Sequence, residues 1–191
     1  MKTIFLFLSA FVFCVNLFSQ SQNHSLIEEK YRVRYKQLDT TVFYYRDLEL
    51  SKYLSGSLRD ICIVVKRDVQ GIKVTFFLDS LMYFHKNGHL KFIQASDSIG
   101  TPTFTRMYDK NGNLTRECKF TYTGVIPYQP IKKASNEALE CYGKGYKDGV
   151  LISEGLTVGR KKKGFHITYD KNGNVKSRIV YSKGKVLKDT R

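Results

Sequence analysis

"MYDKNGNLTRECKF" (Met107–Phe120) sets a polar turn between two segments of mixed apolar and polar residues, and it returns almost unchanged as "ITYDKNGNVKSRIVY" (Ile167–Tyr181). A fainter copy stands earlier, as "MYFHKNGHLKFI" (Met82–Ile93). Aligned on Gly88, Gly112 and Gly173, all three read aromatic, polar, Lys-Asn-Gly, polar, aliphatic. A catalytic loop is seldom stamped three times into one chain, whereas a building unit is. Gly88 and Gly112 lie 24 residues apart, and 24 residues before Gly173 stands Gly149, in a weaker fourth copy built on Asp148-Gly149. Secondary glycines fall between these: Gly88, Gly100, Gly112 and Gly124 are spaced by 12, and Gly149, Gly159, Gly173 and Gly184 follow more loosely. Two turns per repeat, each preceded by a strand of about 7–9 residues, predict an all-β antiparallel meander of repeated hairpins. The turn residues are Asn87-Gly88, Asn111-Gly112, Asp148-Gly149 and Asn172-Gly173.

Side-chain alternation chooses between two turn lengths. A two-residue Asn-Gly loop opposes Tyr169 to Lys176 and Ile167 to Arg178. A three-residue Lys-Asn-Gly loop, with glycine left-handed, pairs Asp170 with Asn174 and Tyr169 with Val175. Carried onward, it opposes Ile167 to Ser177 and Phe165 to Ile179, leaving His166, Thr168, Lys176 and Arg178 on the other face. The longer loop segregates apolar from polar side chains, and a one-residue slip would invert every one of them. In the middle copy this register opposes Arg106 to Arg116, which nothing in the sequence explains.

With 42% hydrophobic residues, 14% aromatics, 14 Gly and only 3 Pro, the 191-residue chain has the composition of a folded β protein rather than a disordered one. Its start, "MKTIFLFLSAFVFCVNLFSQSQ", carries Lys2, an apolar run Ile4–Phe18 and small residues Ser19 and Ser21. About 15 apolar residues are short for a spanning helix, which needs ~20, so residues 1–21 read as a signal peptide that engages the membrane during export only. Cys14 follows bulky Phe13, unlike a lipidated cysteine. The expected localisation is exported: periplasmic, cell-surface or secreted. Residues 22–80 read as an N-terminal β region, and 81–191 as hairpin repeats with an insertion at 125–146 that holds a short helical turn at Asn136–Cys141. Cys62, Cys118 and Cys141 remain after export, an odd number. Either Cys118–Cys141, flanking the insertion, is a disulfide beside one buried thiol, or all three are unpaired.

The formal charge of +15 is uneven: Lys and Arg minus Asp and Glu gives +2 for 20–82, +3 for 83–130 and +9 for 131–191. "GRKKKG" (Gly159–Gly164) is the densest cluster. With Lys171, Lys176 and Arg178 on the expected polar face, Arg160, Lys161, Lys162 and Lys163 form a candidate anion-binding patch. The plainer reading is a solvated turn that discourages edge aggregation. Asp109, Asn111 and Asn113 alternate as calcium ligands do, but glycine is fourth rather than sixth and position twelve is Phe120, so a turn is favoured. His85 and His89 face one another across the first hairpin without a third ligand. Metal-protease, nucleophile-elbow, phosphate-loop and dinucleotide motifs do not occur. The expectation is no enzyme, no catalytic residues, no cofactor and no bound metal.

"EGLTVGRKKKGFHITYDKNGNVKSRIVYSKGK" (Glu154–Lys185) resembles the variant MORN repeat of bacterial proteins: Gly-basic-x-x-Gly, an aromatic-rich strand, Tyr-x-x-Asn-Gly, a strand, then Lys-Gly-Lys. Residues 83–125 match more loosely. Phe165 stands where Trp is frequent, and the insertion splits the array. The resemblance implies an elongated β-hairpin array and, for some members, an antitoxin-like role. The combined expectation is a non-enzymatic exported binding or scaffold module, using a basic C-terminal surface on an unknown protein or anionic envelope component. No nucleic acid is expected as partner. The alternative is an immunity or antitoxin-like inhibitor.

Overall fold

The glycine of each strong repeat stands where the chain turns left-handed: φ is 88° at Gly88, 85° at Gly112 and 84° at Gly173. A Cβ there crowds the backbone, which is why glycine recurs. Asp170 N–H donates to Asn174 O at 2.9 Å, and Gly173 N–H donates to Asp170 O at 3.1 Å. Asp109 with Asn113 and His85 with His89 close the other two turns in the same way. Lys-Asn-Gly is thus a three-residue loop in all three copies. The Asp148-Gly149 copy is a two-residue loop instead, with φ of 52° and 79°, between paired Lys147 and Val150. A fifth turn, Tyr53 to Ser57 around Gly56 at φ 83°, has the three-residue form without the Lys-Asn signature.

The structure, a computed structural model, describes residues 24–69, 71–97, 101–122, 139–159 and 161–190. They form one short helix, α1 (24–36), and eleven strands. The strands are β1 (Tyr45–Lys52), β2 (Leu58–Val69), β3 (Ile72–Phe84), β4 (Leu90–Ser96), β5 (Pro102–Tyr108) and β6 (Leu114–Tyr122), then β7 (Leu139–Lys147), β8 (Val150–Val158), β9 (Lys161–Tyr169), β10 (Val175–Ser182) and β11 (Lys185–Thr190). They pair antiparallel in chain order in one open meander sheet, with β1 and β11 at its edges. The expected signal segment at 1–21, Arg160 and residues 123–138 lie outside the described residues. Leu139–Cys141 belong to β7, so the end of the expected helical turn is strand. Among the described residues no helix is long and apolar enough to cross a membrane.

The register departs from expectation one residue beyond each turn. Tyr169 does oppose Val175, but Thr168 then opposes Ser177, because Lys176 bulges out of the ladder. Arg59, Lys91 and Thr115 are skipped at the same place in the hairpins of Gly56, Gly88 and Gly112. Past the bulge the pairing equals that of a two-residue loop: Ile167 opposes Arg178 and Phe165 opposes Val180. The expected Ile167–Ser177 and Phe165–Ile179 pairs do not form. Arg178 consequently leaves the face of His166 and Thr168 for that of Ile167. The same bulge resolves the two arginines: Arg106 opposes Glu117 and binds it at 2.9 Å, while Arg116 opposes Met107 on the other face.

The chain before β1 corrects the reading of 22–80 as strands. Ile27, Tyr31, Tyr35 and Leu38 recur at helical spacing and pack on the sheet, whereas Val33 is exposed. The charge order suits the helix dipole, with Glu28 and Glu29 preceding Arg34 and Lys36 along the helix. At its end the Arg46 guanidinium donates to Tyr35 O and Leu38 O, at 3.1 and 2.9 Å. The helix lies over Leu58, Ile61, Ile63, Val65, Phe76, Leu78 and Phe84, the main core. Cys62, Val64 and Leu81 form a smaller cluster with Phe77 and Phe92 on the other face. β3 carries extra residues at Asp79–Leu81, opposite Cys62, where Asp79 has φ 61°. The helix grips this bulge: Tyr31 Oη donates to Ser80 O at 2.8 Å and lies 2.6 Å from Ser80 Oγ.

One row of paired residues on the helix side crosses ten strands. It runs Leu50, Ile61, Met82, Ile93, Arg106, Glu117, Lys144, Glu154, Ile167 and Arg178. It is apolar near the helix and, apart from Ile167, charged beyond it.

Two predictions follow the packing. Tyr31→Phe leaves Ser80 without its partner and should lower unfolding free energy by about 1–2 kcal/mol, against about 3–5 for Tyr31→Ala, measured by urea denaturation. Gly112→Val and Gly173→Val should each cost ~1–3 kcal/mol through positive φ. Gly112→Val should cost more, because a Cβ at Gly112 would lie 2.8 Å from His89 Nδ1 whereas one at Gly173 meets nothing within 4 Å. Equal melting of the two variants would contradict this.

Candidate anion-binding surface

Successive residues of a strand point to opposite faces. "GRKKKG" was expected as four cations in one turn, but Lys161–Lys163 open β9. Lys161 and Lys163, paired with Val158 and Leu156, lie on the helix face, and Lys162, paired with Thr157, on the opposite one. Lys163 Nζ reaches Glu140 at 2.8 Å. Lys162 Nζ stands 4.7 Å from the centroid of the Tyr181 ring and 3.4 Å from its hydroxyl. Lys171 sits in the turn at the far end of the hairpin, beyond β9, roughly 26 Å from Lys163 at ~3.3 Å per residue. Lys176 is the exposed bulge residue beside that turn. The Arg178 guanidinium lies over the Phe165 ring, 5.6 Å from its centroid. The expected patch is therefore divided between two faces and two ends of the sheet.

The fold brings in cations that the cluster did not suggest. Gly184 N–H donates to Lys162 O at 3.0 Å, so the β10–β11 turn, Lys183-Gly184, folds against the start of β9. Lys183 takes φ 48°, a left-handed value unusual for a long side chain. Lys183 and Lys185 thus join Lys161 and Lys162 at one corner. The available signal was Lys-Gly-Lys at Lys183–Lys185, ordinary turn chemistry until the strands are paired.

At the opposite strand ends the side chains serve the turns themselves. The Asp109 carboxylate accepts from Asn111 N, Asn113 N and Asn113 Nδ2 at 2.8, 2.9 and 3.1 Å. Asp170 does the same for Asn172 and Asn174. The Asn113 and Asn174 amide bonds, foremost, hold both carboxyls below their ordinary range. These are turn-closing acceptors. His85 Nε2–H donates to Tyr108 O at 3.0 Å and Asn87 Nδ2 donates to Lys110 O at 2.6 Å, tying neighbouring turns together. His24 Nε2–H reaches Gly88 O at 2.8 Å, which ties the helix to the same row. Among the described residues no three His, Cys, Asp or Glu side chains converge on a point.

Between the helix and the basic corner, the helix face carries tyrosines anchored to carboxylates. Glu154 accepts a short hydrogen bond from Tyr169 Oη, and Tyr146 Oη lies 3.5 Å from Glu117. The bonds from Tyr169 and then Tyr142 hold the Glu154 carboxyl below its usual range. Partial burial, then the Glu154 bond, pushes the Tyr142 hydroxyl up to about 12.

The cysteines settle as one bridge and one thiol. Cys118 and Cys141, on adjacent strands with Cα atoms 5.8 Å apart, form a disulfide. Cys62 is free and buried, and burial, with Glu49 next, pushes its thiol up to about 12. No protein-family model matches this chain, and no curated protein matches it significantly. The surface is accordingly read from its own residues.

The cysteine environment predicts a labelling pattern. Iodoacetamide at neutral pH should spare Cys62 in the native protein and modify it after denaturation, because thiolate is scarce and access closed. Peptide mapping without reductant should recover Cys118 and Cys141 in one linked peptide pair. Native labelling of Cys118 or Cys141 would contradict the bridge.

Proposed function

We propose that this chain is an exported, non-enzymatic repeat protein of MORN-like hairpins that acts as a binding module, holding an anionic envelope or extracellular partner at its basic C-terminal strands. The observation that carries this reading is the convergence of Lys161, Lys162, Lys183 and Lys185 where the β10–β11 turn meets the start of β9. Residues 131–191 contain 15 basic and 6 acidic side chains, a difference of +9, which gives this part of the chain a strong positive balance. The apolar leader directs the chain to a compartment where nucleic acid is scarce and acidic polymers and headgroups are common.

Exchanging Lys161, Lys162, Lys163 and Lys183 for Gln in the full chain tests the proposal. At ~0.2–1 kcal/mol per exposed charge pair, capture of anionic envelope components should fall roughly tenfold or more. The melting temperature should hold or rise slightly, because self-repulsion is relieved. Parental binding should weaken steeply with salt, since exposed charges are screened over about 8 Å at physiological ionic strength. Undiminished capture by the quadruple variant would reduce the corner to a solubilising turn.

A further inference from the structure

We infer that the anionic partner is a linear acidic polysaccharide, lying on the helix face of β9–β11 with Phe165 as its stacking ring. This rests on the binding reading above and narrows it to one face and one class of ligand.

The two faces of the last three strands differ in kind. On the helix face stand Lys161 and Lys163 from β9, Arg178 from β10, and Lys185 and Lys188 from β11, paired with Ser182 and Val180. Among the described residues of these strands no acidic side chain shares that face: Asp189 pairs with Ile179 on the other. Glu140 of β7 reaches Lys163, but Lys161, Lys185 and Lys188 make no ion pair among the described residues. Earlier in the sheet each cation of the row stands beside an acid, Arg106 by Glu117 and Lys144 by Glu154. The alternation stops at β9, where Ile167 takes the place opposite Arg178. On the opposite face the polar groups bond one another: Thr168 with Ser177 at 2.7 Å, His166 with Leu156 O at 2.7 Å, Lys162 with Tyr181.

Phe165 lies among these cations and is 58% exposed. With the Arg178 guanidinium over it, ring and cation form one unit. A pyranose presents C–H bonds of partial positive charge on its ring face, which meet the negative face of an arene, while its acid group meets the guanidinium or a lysine. Strands hold such groups on a fixed lattice, about 4.8 Å across and ~6.7 Å along alternate residues, suited to a chain with regularly repeated charges. A membrane-seated surface presents a continuous apolar stripe bordered by cations. Here cations are interleaved with the apolar residues, Arg178 opposite Ile167 and Lys188 opposite Val180, rather than bordering a stripe.

The test uses the full chain with polygalacturonate (carboxylate), heparin (sulfate), neutral dextran and phosphatidylglycerol vesicles. The parent should bind one or both acidic polysaccharides, the preference naming the anion, and should leave dextran unbound. Lys161→Gln/Lys185→Gln/Lys188→Gln should weaken that binding about tenfold and flatten its salt dependence, as expected when three exposed cations are lost. Phe165→Leu should weaken it about threefold or more with the salt slope unchanged, because it removes stacking and not charge. Arg116→Gln, an exposed cation of β6 on the opposite face, should stay within about twofold of the parent, the effect of one screened charge. If the triple variant loses its cooperative melt, Phe165→Leu alone decides. Polysaccharide binding indifferent to Phe165→Leu overturns the inference. So does binding to vesicles or acidic envelope proteins without the polysaccharides, which leaves the broader reading standing. Failure of the parent to bind any anionic probe or envelope component removes both.

Discussion

A single β-sheet has no inside until something lies against it, and in this protein that is α1. Its Tyr31 descends onto the β3 bulge, bonds Ser80 and closes the aliphatic ground beneath it. Ile61, Ile63 and Val65, in the strand directly beneath, are sealed from water almost completely. Beyond β4 the described residues include no second covering element, and burial becomes partial. The remaining strands keep their order through ladder bonds, the Cys118–Cys141 bridge and the side-chain ties between turns. Their conformation is thus propagated outward from the covered end, as in other arrays where each unit contacts only its neighbours.

The turns were legible because their chemistry is local. Gly112 and Gly173 need positive φ, Asp109 and Asp170 bond amides two and four residues on, and both requirements leave a signature within five residues. The bulge that follows leaves none: Arg59, Lys91, Thr115 and Lys176 share only hydrophilicity, and their displacement shows when the strands are paired. That single omission put Arg178 on the wrong face and set Arg106 against Arg116. The helix was hidden for another reason. Tyr31-Arg32-Val33-Arg34-Tyr35 alternates as a strand does, and it competes with the longer Ile27, Tyr31, Tyr35, Leu38 stripe. Tertiary packing decided for the stripe. The basic corner was half legible, since Lys161–Lys163 are contiguous while Lys183 and Lys185 arrive through β10 pairing.

Charge along the sheet is arranged rather than scattered. Where the helix ends, the row passes from aliphatic residues to Arg106, Glu117, Lys144 and Glu154, opposite charges set cross-strand at neighbouring positions. Such pairs let a solvated sheet face remain polar without repelling itself. From β9 onward the described residues of these strands place five cations and no acid on that face. The face thus balances its charges over β5–β8 and carries an excess of cations over β9–β11.

The row itself obeys a rule of position. Leu50, Met82, Arg106 and Ile167 each stand six residues before a turn glycine, and Ile61, Ile93, Glu117 and Arg178 five after it. The loop and its bulge together keep these two positions opposite one another whatever the rest of the hairpin contains. A duplicated hairpin would therefore arrive already in phase, with its two row residues on the helix face. The array could be lengthened or shortened by whole units without turning its faces over. Each unit's character would then be written in two residues: an apolar pair where cover exists, an ion pair where it ends, and an aliphatic–cation pair in the unit of β9 and β10.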